Sequence, residues 1–144
     1  MGRIISYRGK LADGGQDTIN LHTNDGKTGY KIVKFQLMPP APGTAHAEWI
    51  AKIYTIKQTT VDGLVNFSDT TIVGVNYFVD NPNTTSPVSI VTIFDKMVFN
   101  QDIFITLSEV NGSESCNYYI ELEQVPLTED QALVAIVKNL RNEQ

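Results

Sequence analysis

A chain of 144 residues is near the usual size of one domain and long enough to bury its own core, so neither a metal nor a disulfide is needed for folding. Eleven basic against sixteen acidic residues leave a net charge of −5, and no Lys/Arg-rich run is present to displace counterions from phosphates, which argues against direct binding of nucleic acid. The single cysteine excludes an internal disulfide, and no apolar stretch approaches the roughly 18 residues of a membrane-spanning helix.

Residues 1–127 alternate apolar and polar side chains with a period of two, interrupted by Gly, Pro, Asn and Asp, which is the pattern of antiparallel strands. The first strand runs from Ile4 to Arg8. Gly2 and Ser6 match the loose N-myristoylation pattern, but an opening strand is the simpler reading, and Met1 to Ser6 lacks the features of a signal peptide. A protein that stays soluble unless it is built into something is expected. Asp13-Gly14-Gly15-Gln16-Asp17 offers oxygen ligands without the alternation of a calcium loop, so it reads as a surface turn.

Thr18 to His22 is the second strand, closed by the turn Asn24-Asp25-Gly26. In Tyr30 to Met38, Val33, Phe35 and Leu37 fall on one face and Lys34 and Gln36 on the other. Met38-Pro39-Pro40-Ala41-Pro42-Gly43 must separate two strands, because proline lacks the ladder donor. Glu48 to Lys57, Thr71 to Val79 and Val88 to Phe94 follow, with Asp62-Gly63 and Asn81-Pro82-Asn83 as turns. Asp102 to Glu109 places Ile103, Ile105 and Leu107 inward and Thr106 and Ser108 outward. After Asn111-Gly112, Asn117 to Gln124 opposes Tyr118, Ile120 and Leu122 to Tyr119, Glu121 and Glu123. Eight strands at this spacing suit a two-sheet, jelly-roll-like β-sandwich with an N-terminal arm before Tyr30.

The period changes at Thr128-Glu129-Asp130-Gln131, a capping box with acidic residues placed to meet a helix dipole. Leu133, Ile136, Val137 and Leu140 then recur at helical spacing, with Lys138 and Arg141 near the negative end. Residues 128–144 are therefore expected as one α-helix, docked on its own sandwich or on a neighbouring subunit.

Chemistry-bearing residues are few. His22 and His46 stand apart with no carboxylate or cysteine at ligand spacing, and Cys116, with no nearby histidine, reads as a small buried hydrophobe. Glu121 and Glu123 point the same way from one strand and either present two carboxylates to a ligand or form a solvated face. Trp49 with Tyr54 is either core or a sugar-stacking platform. The sequons at Asn66, Asn83 and Asn111 read as ordinary turns. No phosphate loop or nucleophile elbow is present, so no catalytic, cofactor-binding or metal-binding residue is assigned.

Gly29-Tyr30-Lys31-Ile32-Val33-Lys34-Phe35-Gln36, Ile93-Phe94-Asp95 leading into Phe99 to Thr106, and Asn117 to Glu123 together resemble small virion proteins of tailed marine phages that decorate or cement a capsid. The resemblance implies a non-enzymatic β-sandwich, located in the virion after synthesis in host cytoplasm, whose partners are the major capsid protein and copies of itself. It implies no small-molecule substrate, nucleic acid or membrane contact, and it transfers no site residues. The alternative is a receptor- or glycan-binding module of a phage tail or fibre, with Trp49 and the Asn/Thr-rich loops as its surface.

Overall fold

The structure, a computed structural model, describes residues 2–42, 47–80, 90–94 and 96–142, with side chains described in all of these but 90–94 and 137–142. The strands are β1 (Ile4–Leu11), β2 (Gln16–Ile19), β3 (Thr28–Met38), β4 (Ala47–Tyr54), β5 (Ile72–Asp80), β6 (Ile90–Phe94), β7 (Ile103–Glu109) and β8 (Cys116–Pro126), followed by helix α1 (Glu129–Asn142). They form two antiparallel sheets, β1-β8-β3 and β2-β7-β4-β5-β6. Pairing is nested: the first strand lies on the last, the second on the seventh and the fourth on the fifth. The nesting stops there, because β3 also lies on β8 and β6 lies on β5; the expected mainly β two-sheet sandwich with one C-terminal helix is what the chain forms.

Alternation explains the core. Ile103, Ile105 and Leu107 of β7 and Tyr118, Ile120 and Leu122 of β8 all turn inward and are buried. Trp49 is 1% exposed, tilted against Phe78 with ring centroids 6.0 Å apart, and its indole N–H donates to the Glu114 carbonyl at 3.1 Å. Each enclosed side chain of this size stabilises the fold by about 1.5–3 kcal/mol. Asn76 of β5, fully buried, crosses the core to donate to the Phe35 carbonyl of β3 at 3.0 Å.

Two expectations are corrected. On β3 the register with β8 shifts between Ile32 and Lys34, so Val33 is the extra residue of a bulge; Ile32 takes the core position before it, and Phe35 and Leu37 take those after it. The segment before Tyr30 is no free arm either. All eight residues of β1 pair with β8, and β2 pairs with β7.

The connection from β1 to β2 passes between sheets, and a tyrosine spans the same gap. Gly14, at φ 79°, forms the turn, donating to the Leu107 carbonyl at 2.8 Å. Tyr118 reaches from β8 beneath Gly9 of β1 and donates its hydroxyl to Asp17 Oδ2 on β2 at 2.9 Å. A methyl group at Gly9 would sit 2.8 Å from that hydroxyl oxygen, so only glycine leaves room for the ring. Burial, then the bond to Asp17, holds the phenol well above its ordinary pKa, so the neutral donor persists. Tyr118→Phe should lower stability by about 1 kcal/mol in urea titration, whereas Gly9→Ala, which displaces the ring, should cost more.

Helix α1 starts as its capping box predicts: Gln131 N–H donates to Thr128 Oγ1 at 3.2 Å and Thr128 N–H to Gln131 Oε1 at 3.0 Å. Its buried face differs from the expected stripe. Leu133 is 61% exposed, while Ala132 is buried and Ile136 half-buried; the side chains of Val137, Lys138, Leu140 and Arg141 lie outside the described residues. The helix packs on its own sandwich at a polar clamp, because buried Asn100 donates to the carbonyls of both Gly26 (2.9 Å) and Ala132 (3.2 Å). Gly26 has φ 65°, and a methyl there would meet Asn100 and Ile136 at 3.1 Å each. Small residues on both sides permit this approach, which an apolar stripe alone does not disclose. Thermal unfolding should show Ile136→Ala costing about 1 kcal/mol, below the roughly 2–5 kcal/mol of an enclosed site. Asn100→Ala should cost about 1–3 kcal/mol by stranding two carbonyls.

Candidate functional site

The residues singled out by sequence are dispersed. His22 and Asp102, 80 positions apart, meet at 2.7 Å through Nδ1 and Oδ1, and the same Oδ1 accepts the amides of Leu21 (2.8 Å) and His22 (3.1 Å). Sequence gave no signal for this contact. Partial burial pushes the Asp102 carboxyl up, but the His22 ring and the two amides outweigh it, and its pKa is held below the ordinary value. A depressed folded pKa contributes stability above the unfolded value of about 3.9 and loses it as pH falls through the folded value. Asp102→Asn should therefore flatten the acid limb of the stability–pH curve below about pH 4.

Cys116 is buried beside the Met38 carbonyl, and burial pushes its thiol up to about 12, so it is no nucleophile at neutral pH. Asp17 is engaged by Tyr118, and Asp13 Oδ1 accepts the Glu109 amide at 2.9 Å. Trp49 and Tyr54 are buried, so neither is a sugar platform. His46, Asn83 and the rest of residues 43–46 and 81–89 lie outside the described residues. Glu109, 4% exposed, accepts the amides of Glu48 (2.8 Å) and Asn111 (3.0 Å) through Oε1, and its Oε2 has no hydrogen-bond partner among the described residues. Among those residues, no group of three or more His, Cys, Asp or Glu is arranged to hold a metal ion.

Two surfaces remain with shape and exposed side chains. The first is the segment from Ile56 to Thr70, which folds over the outer face of β4 and β7. Lys52 points outward from β4 yet is 3% exposed: its ammonium donates to the Leu64 carbonyl at 2.6 Å, sits 3.2 Å from Asp62 Oδ1, and lies 5.5 Å from the Tyr54 ring centroid. Asp62 also accepts the Leu64 amide at 3.1 Å; that bond, then Lys52, holds its carboxyl below the ordinary range. Gly63 rests on Val110 and Ile50. Pinned in this way, the loop holds Leu64 at 76% and Phe67 at 64% exposure, with Val65 and Val110 also exposed.

The second surface is the outer face of β1-β8-β3. Register places Lys10, Asn117 and Met38 in one row, Arg8, Tyr119 and Gln36 in the next, then Ser6, Glu121 and Lys34. The first two rows line a groove of about 580 Å³. Glu121 and Glu123 do share this face, as expected of alternation, but Glu121 accepts the Tyr119 hydroxyl at 2.7 Å and Glu123 lies 3.9 Å from Lys31.

No protein-family model matches the chain, and no curated protein is significantly similar to it. The two surfaces therefore carry the functional argument by their own chemistry.

Proposed function

We propose that this protein is a non-enzymatic virion structural protein, a capsid decoration or cement protein that stabilises a shell through contacts with major capsid protein subunits and with copies of itself. The observation that carries this reading is the pinned loop: a buried lysine fixes a segment whose leucine and phenylalanine project into solvent. Large apolar side chains held rigidly outward are unfavourable in water and suit a protein interface, where each adds about 1.5–3 kcal/mol on burial. The two-sheet β-sandwich, an architecture shared by viral capsid and lectin domains, agrees with the resemblance of the sequence to phage decoration proteins. Val134, exposed on the helix beside Val125 and Leu127, and the exposed Leu133 next to it in sequence offer a second apolar contact for a neighbouring copy.

Contacts from a free arm before Tyr30 are not part of this reading, because Ile4–Leu11 and Gln16–Ile19 are held in the sheets. Weak contacts suffice, since many copies on one shell act together. In binding assays on source particles stripped of the protein, the double variant Leu64→Asp/Phe67→Asp should keep its thermal stability and lose particle binding, and shells without the protein should open at lower temperature or milder osmotic shock. Lys52→Met should weaken binding through a loosened loop. Particles that bind the double variant as well as the parent would refute the reading. A receptor-binding module of a tail or fibre is favoured instead if shells are equally robust without the protein and adsorption to host cells is lost.

A further inference from the structure

We infer that the groove on the outer face of the three-stranded sheet is a binding site for an acidic sugar, with Arg8 and Lys10 receiving its carboxylate and Gln36, Asn117 and Tyr119 its ring. The inference stands apart from the virion reading and uses a different face of the molecule.

Charge is the first ground. The chain is acidic overall, yet β1-β8-β3 gathers Arg8, Lys10, Lys31 and Lys34 on one face. Lys31 faces Glu123, and Lys34 lies 5.8 Å from the Tyr119 ring centroid. Arg8 and Lys10, at the groove, have no carboxylate within salt-bridge distance among the described residues. Two unpaired cations in adjacent rows on one strand complement an anion, and a guanidinium can grip a carboxylate with two parallel bonds.

Shape and valence narrow the ligand. The floor strand β8 has both main-chain edges committed to its ladders with β1 and β3, so an extended peptide lying in the groove finds no strand to pair with there; the outer edges of β1 and β3 face away from it. Recognition must come from side chains. Two rows span about 7 Å along the strands, and three strands span about 10 Å across them, a footprint on the order of one or two pyranose rings. The side-chain amides of Gln36 and Asn117, both donor and acceptor, make no hydrogen bond to the rest of the described protein and can pair with vicinal hydroxyls. Tyr119 stands between Arg8 and Gln36 with its hydroxyl turned to Glu121, leaving an aromatic wall, and Met38, 60% exposed, adds an apolar one. A bare phosphate would use the cations and leave these four residues idle.

The test is titration of the full-length protein with a short oligogalacturonate, followed by calorimetry and by backbone amide shifts, beside a neutral malto-oligosaccharide and inorganic phosphate. The acidic oligosaccharide should bind, shift amides of β1, β8 and the end of β3, and bind more weakly as salt rises. Arg8→Ala should weaken binding about tenfold, the loss of one exposed charge-assisted pair, and Gln36→Ala less. Both side chains point to solvent, so unchanged thermal unfolding of each variant would confirm that the fold is intact. Three results would each overturn the proposal: no binding at millimolar oligosaccharide, equal binding of the neutral sugar, or phosphate competing as strongly as the acidic oligosaccharide. Retained shell binding in Arg8→Ala separates this site from the pinned loop.

Discussion

Strand β8 is held between β1 and β3 by two antiparallel ladders, and its register in them fixes both faces of the smaller sheet. Tyr118, Ile120 and Leu122 enter the core because Asn117, Tyr119, Glu121 and Glu123 point out, and a shift of one residue would exchange the two sets. Asn117 and Tyr119 of the outward set line the groove, so the same register that packs the sandwich aligns Arg8 and Gln36 with Tyr119. Gly9 and Asp17 make the register unambiguous, since the Tyr118 ring passes under one to reach the other.

The larger sheet solves a different problem. Its outer face is partly covered by the Ile56–Thr70 segment, and Lys52 beneath that cover has a carbonyl, a carboxylate and an aromatic ring within reach of its ammonium. A buried ammonium without those partners would be costly, so the loop and the lysine depend on each other. Rigidity in the loop is thereby purchased with polar contacts, and its apolar side chains are left for the surface.

Much of this architecture was legible in the sequence because period-two alternation and the Thr128 capping box are local signals. Seven of the eight strands and the start of the helix lie close to where those signals put them; the second starts earlier, at Gln16 and Asp17, which read as part of a turn, and ends at Ile19 instead of His22. What was illegible is non-local. Val33 looks inward-facing until the bulge displaces it; Leu133 looks like stripe until Ala132, Gly26 and Asn100 show which helix face fits closely. Thr106 was rightly set on the outer face, yet it is buried by what lies over it. The groove and the His22–Asp102 pair were equally hidden, since each is assembled from strands or turns distant in sequence. Trp49 was open between core and platform, and only its neighbour Phe78 and the Glu114 carbonyl decide for core.

The nested winding also sets the order in which the molecule can be made. Ile4 pairs with Glu123 and Leu11 with Cys116, so β1 has no ladder partner until synthesis has passed through β8. During synthesis β4 and β5 can zip early, whereas Ile5, Tyr7 and Leu11 wait with their apolar side chains uncovered. Closing so long a loop is entropically slow, which makes the smaller sheet the late step of folding and the nascent chain most prone to wrong association just before β8 arrives.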